Sequence, residues 1–253
     1  MMFNDMICRL EEKHGCIAGC AIQDAQTGEM LACHREKLVF KSASLIKTPI
    51  MLCALEDVES GLLSLDAKIA VQPCHCVGDE ASVIEHGYDV PLSVLLEYMI
   101  TYSNNSATNV LVDLLGMEKV NAFSRRIGLA DTVLRRHMLD FEAARQGREN
   151  STSAADMLRL YTLLPKGEVL TPFMCETALP ILLRQHDKEL MMFSNPAQKA
   201  AHKTGGLSDI AHDAGILYGE TRTLVFAVLA TAPDEKQCTA LHQEFSPCVM
   251  ELL

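Results

Sequence analysis

Hydrophobic and polar positions change period several times along this chain, and each change marks a new element. Residues 3–13 repeat on a helical period, whereas 16–23 read as a strand, followed by the turn-like Asp24-Ala25-Gln26-Thr27-Gly28 and a second strand near 29–34. From Ser44 to Glu59 the texture is that of a buried helix, with Leu45, Ile46, Ile50, Leu52, Cys53 and Leu55 apolar and Gly61 ending it. A second apolar helical region, 92–115, is interrupted by Ser103-Asn104-Asn105-Ser106, and further helices are predicted over 153–164 and 171–184. After position 200 the strand texture returns, with Ala214–Tyr218, a turn at 219–222 and Thr223–Ala230, before a closing helix over about 234–253.

Strands at both ends with helices between them predict an α+β protein. One antiparallel sheet would take strands from both termini, with flanking helices and an inserted all-helical subdomain. The 253 residues are then one domain, with an α/β part at about 1–45 and 185–253 and a helical part at about 46–184.

Composition narrows the function classes. A formal charge of −11 disfavours nucleic acid or an anionic membrane as partner, because both are held by clustered Lys and Arg. No stretch has the ~18 apolar residues of a membrane span, and the start lacks the basic and apolar regions of a signal peptide. The ten cysteines are irregularly spaced in a chain large enough not to need disulfides, which predicts free thiols and a cytoplasmic setting, or secretion if a signal has been removed. The Cys74-His75-Cys76 run and the Cys16/Cys20 pair have no matching CxxC or HxxxH partner elsewhere, so no metal and no cofactor are expected. The oligomeric state is not legible.

Three short motifs carry chemistry. Ser44-Leu45-Ile46-Lys47 puts a hydroxyl and an ammonium on one face of a helix's first turn, where a lysine of lowered pKa can activate the serine. Alone, the pattern recurs by chance about once in a chain this long. Ser103-Asn104-Asn105 interrupts two apolar helical segments and by itself suits a helix cap. Lys203-Thr204-Gly205-Gly206 precedes the last strands, and its glycines let backbone approach a ligand closely.

Taken together and in this order, the three resemble the S-x-x-K, S-D-N and K-T-G set of class A β-lactamases and penicillin-binding proteins. The surroundings of the second motif, Leu92 to Asn109, and the segment Gly61–Asp66 extend the likeness, which runs from about residue 16 to 253. The resemblance implies Ser44 as acylated nucleophile, Lys47 as base or proton relay, and Ser103 as the donor to the leaving nitrogen. It also implies that Asn105 binds the substrate's side-chain amide, that Lys203 and Thr204 bind its carboxylate, and that the N–H groups of Ser44 and Gly206 form an oxyanion hole.

Three departures qualify the expected chemistry. Asn104 stands where the family usually has Asp. The segment after the third motif has no arginine for the substrate carboxylate, leaving His212 or Arg222 to replace it. No Glu has the spacing of the family's Ω-loop base, so Asp140, Glu142 or Lys47 is left to activate the deacylating water. The leading expectation is an acyl-enzyme hydrolase opening the β-lactam ring, with slow deacylation. A D-alanyl peptidase or carboxylesterase and a non-catalytic β-lactam sensor stay open as alternatives.

Overall fold

A computed structural model describes residues 2–78 and 84–253. In chain order its elements begin with α1 (Met2–His14), β1 (Ile17–Asp24), β2 (Met30–His34), β3 (Val39–Lys41), the 3-10 helix Ala43–Ile46, α2 (Lys47–Glu59) and β4 (Lys68–Ala70). Next come the 3-10 turn Pro73–His75, β5 (Asp89–Pro91), α3 (Leu92–Thr101), α4 (Asn105–Leu115), α5 (Met117–Arg126), α6 (Phe141–Arg145) and β6 (Ser151–Ser153). The chain closes with α7 (Ala154–Leu163), α8 (Pro172–Leu183), β7 (Ala200–Leu207), β8 (Ile210–Tyr218), β9 (Thr223–Thr231) and α9 (Glu235–Met250).

Five strands form one antiparallel sheet in the order β2-β1-β9-β8-β7, so the two termini meet at the β1–β9 pair, as the sequence pattern predicts. The two-residue period of β9 divides its side chains between two cores. Val225, Ala227 and Leu229 join a core shared with α2, α3, α4 and α7, while Leu224, Phe226, Val228 and Ala230 meet α1 and α9 on the other face. Both faces are therefore dry, which explains why β9 reads as an uninterrupted apolar run.

Local chemistry sets several boundaries. Ser153 caps α7 through Asp156 N–H, and Asp234 opens α9 with a capping box completed by Gln237. The two-strand pairs β3–β6 and β4–β5 and the helices α5 and α6 escape the sequence pattern. Strands of three residues are too short to display a period, and their pairing is decided by what lies opposite. The third motif also differs from expectation: Lys203–Gly206 lies within β7, the sheet's edge strand, and not ahead of the strands. Gly205 is needed there because a Cβ would come within 3.1 Å of both the Ser44 backbone nitrogen and the Ala43 Cβ.

Candidate active site

The Ser44 hydroxyl sits on the 3-10 helix that precedes α2, half-buried against the edge of β7. The residue before it, Ala43, has a left-handed backbone (φ 44°), as does Ser103 (φ 56°) in the turn between α3 and α4. Two non-glycine residues in this region at one site store strain that the surrounding packing must hold. The first N–H groups of a short helix have no intrahelical acceptor, and an edge strand leaves alternate N–H groups unpaired. Ser44 and Gly206 supply one backbone N–H from each kind of element.

Lys47 begins α2 and is fully buried. Its Nζ donates to the Ser103 carbonyl at 2.6 Å, to Ser103 Oγ at 3.1 Å and to Asn105 Oδ1 at 2.9 Å. Lys203, equally buried, donates to Ser103 Oγ at 3.1 Å and to the Thr204 carbonyl at 2.8 Å. Burial pulls the Lys203 ammonium from its ordinary 10.5 down to about 8, against the carboxylates of Asp187 and Asp213, which support the charge. The Ser103 oxygen thus accepts from two lysines with its two lone pairs, which turns its own O–H outward as a donor. Asn104, the departure from the usual Asp, caps α4 by accepting Ala107 N–H at 2.7 Å, a task an amide oxygen performs as well as a carboxylate.

One cavity is lined by Ser44, Asn105, Gly206, Arg136, Met138 and Glu149, among others. The last three were not singled out from the sequence. Asn109, one helical turn beyond Asn105 on α4, grips both backbone groups of Met138: its Oδ1 accepts Met138 N–H at 2.8 Å and its amide donates to Met138 C=O at 3.3 Å. Glu149 is the cavity's carboxylate. Its Oε1 accepts from Arg136 Nε at 2.8 Å and from Asn150 N–H at 3.0 Å, so the buried guanidinium holds it as one half of an ion pair.

The two carboxylates expected to reach the water lie elsewhere. Asp140 caps α6 by accepting Ala143 N–H at 2.9 Å and faces a neighbouring cavity. Glu142 is exposed and bonded to Arg145 and Gln146 within its own helix, interactions that hold its carboxyl below the usual range. Neither replacement for the missing arginine is placed to serve. His212 is fully buried, donating from Nε2 to Lys41 C=O at 2.9 Å and accepting Ala230 N–H at 3.1 Å, and burial lowers its pKa to about 4. Arg222 pairs with Asp24 at 2.9 Å, at the opposite end of β9 from the motif strand's glycines.

Comparison with known proteins bears on this geometry. A family model described as "Beta-lactamase enzyme family" matches residues 3–250. A protein of Rhodobacter capsulatus named "Beta-lactamase" is 31% identical over 173 residues, 67% of this chain. The match spans 58% of that protein's length, less than two thirds of it. Among solved structures, a variant of the last common ancestor of Gram-negative bacteria β-lactamase class A, bound to a transition-state analogue, has a TM-score of 0.90 at 26% identity. It covers 100% of this chain and 98% of its own. The class A β-lactamase of Mycobacterium abscessus shares the fold, with a TM-score of 0.89 at 22% identity over 99% of both chains. Among the described residues no helix is long and apolar enough to cross a membrane.

Proposed function

Because this chain belongs to the β-lactamase enzyme family, we propose that it is a serine hydrolase that opens β-lactam rings through an acyl-enzyme on Ser44. The observation that carries the reading is the Ser103 hydroxyl held between the ammonium groups of Lys47 and Lys203. Ser44 Oγ attacks the ring carbonyl while the N–H groups of Ser44 and Gly206 stabilise the oxygen that takes up the charge. The C–N bond breaks as Ser103 gives its proton to the ring nitrogen, and the proton leaving Ser44 returns to Ser103 by way of Lys47. Lys203 and Thr204 bind the substrate carboxylate, and Asn105 its side-chain amide. With Arg136 on the same cavity already paired to Glu149, Lys203 is the main cation for that carboxylate.

Water must then cleave the ester, and here the site is poorly equipped. Glu149, the carboxylate on the Ser44 cavity, is engaged by the Arg136 guanidinium and by Asn150 N–H and is not free to bind a water as base. Acylation therefore outpaces deacylation. The peptidase, esterase and sensor alternatives are not favoured by the relatives that match. None of the ten cysteines is disulfide-bonded, which supports a reducing compartment.

The test is intact-mass spectrometry over time after adding penicillin. A penicilloyl adduct should form on the wild type and be absent from Ser44→Ala. An adduct retained in that variant would remove Ser44 from the mechanism.

A further inference from the structure

The sheet face covered by α1 carries a cluster that the acylation chemistry does not use. Cys8 and Glu11 stand three residues apart on α1 and so share one face of the helix. The edge strand β2 runs alongside, tied to α1 by Cys33 N–H, which donates to Asn4 Oδ1 at 3.0 Å. This strand brings His34 to both α1 side chains: its Nε2 lies 3.1 Å from Glu11 Oε2 and its Nδ1 3.9 Å from Cys8 Sγ.

The direction of each bond follows from what the atoms can do. Glu11 is buried, and its Oε1 accepts from Ala18 N–H at 2.7 Å and from Arg35 Nη1 at 3.0 Å, which fixes the carboxylate in place. With an acceptor at Oε2, the neutral His34 ring carries its proton on Nε2, and its Nδ1 lone pair is left facing the Cys8 thiol. His34 is partly buried while Cys8 is exposed. Thiol, base and orienting carboxylate thus stand in a row, the order in which a nucleophile is activated.

We infer that Cys8 is a thiol-exchange site that takes up a low-molecular-weight disulfide, with His34 as its base and Glu11 as the residue that positions the base. In the step, His34 Nδ1 takes the thiol proton while Cys8 Sγ attacks one sulfur of the disulfide. A new S–S bond forms as the old one breaks, and the departing thiolate takes the proton back from Nδ1 and leaves as a thiol. Cys8 is oxidised to a mixed disulfide and half of the reagent is reduced, so no further oxidant is needed. An ordinary thiol is only a few per cent thiolate at neutral pH, which caps the gain from such a base at roughly thirtyfold. Two other exposed cysteines lack the arrangement. Cys74 neighbours His75, but both nitrogens of that ring are engaged, by Gln72 N–H and by Asp113. Cys33 is turned to the opposite face from His34 by the alternation along β2, and lost hydration with the Glu36 carboxylate beside it pushes its thiol up, toward the unreactive form. The site stands on its own residues and does not depend on the acylation of Ser44.

The test exposes the reduced protein to 2-hydroxyethyl disulfide, an uncharged probe, and follows each cysteine by peptide mass spectrometry after quenching at intervals. Cys8 should react first, roughly five- to thirtyfold faster than Cys74, with Cys33 slower still. His34→Ala should bring Cys8 down to the Cys74 rate while Cys74 and Cys33 keep theirs, and added imidazole should restore part of the loss at Cys8 alone. Glu11→Gln presents an amide N–H to His34 Nε2 and moves the ring proton to Nδ1, so it should slow Cys8 selectively too. His34 is only partly buried on an edge strand, so its variant carries the test where Glu11→Gln does not fold. Cys8 reacting no faster than Cys74, an unchanged Cys8 rate in His34→Ala, or a loss that imidazole fails to restore would overturn the assignment.

Discussion

Replacing Met138 by glutamate should convert a slow acyl-enzyme into a fast one. Asn109 holds both the N–H and the C=O of Met138, so the new side chain would leave a fixed backbone point on the wall of the Ser44 cavity. Only 7% of Met138 is exposed, and burial raises a carboxyl's pKa toward the neutral range in which a general base works best. A positioned base contributes ~10²–10⁴-fold, or about 3–5.5 kcal/mol off the deacylation barrier at ~1.4 kcal/mol per factor of ten. Some stability is lost in burying the charge, and Arg136 on the same cavity offsets part of it. The assay is a pulse of penicillin, removal of the excess, and mass spectra of the adduct with time. The adduct's half-life in Met138→Glu should shorten by two to four orders of magnitude while the acylation rate holds. An unchanged half-life in a folded variant that acylates normally would refute the claim that the site lacks a base. So would a rapidly turning-over wild type slowed by Glu149→Gln, which would make Glu149 the base despite its partner.

Lys203→Ala should lower kcat/KM for carboxylate-bearing substrates by roughly 10- to 150-fold, the worth of a charge-assisted hydrogen bond of about 1.5–3 kcal/mol, and spare a neutral ester. In the wild type the same discrimination should fade as pH rises through about 8, where Lys203 loses its proton; discrimination constant to pH 10 would contradict this. His212 stays neutral in the folded chain down to about 4, whereas in the unfolded chain it takes a proton below its ordinary 6.5. The unfolded state therefore binds more protons in that window, and stability should fall by on the order of 3 kcal/mol as pH drops across it. Urea titrations at several pH values check this, and a His212→Gln variant should lose that part of the slope. Phe226, fully buried between β9 and the terminal helices, should cost about 3–5 kcal/mol when cut to Ala, read as a lower urea midpoint with acylation at Ser44 intact.

What the sequence determined by itself is what short-range periodicity and motif order encode. The apolar runs of β8 and β9, the helical period of α1 and α2, and the polar break at Ser103 each bury a face whatever lies opposite, so they are visible without the fold. The α+β class followed from strands at both ends of the chain. The order of Ser44, Ser103 and Lys203 carried the family. Contacts between distant residues have no such local signature. Only the tertiary structure put Ser103 Oγ between two lysines, placed Met138 and Glu149 on the Ser44 cavity, and turned Asp140 and Glu142 away into a helix cap and a surface ion pair. It also buried His212 behind Lys41 and Ala230. A side chain's direction depends on the packing of elements far apart in sequence. That is why motif order pointed to the family while the placement of the carboxylates emerged only when the helices had packed.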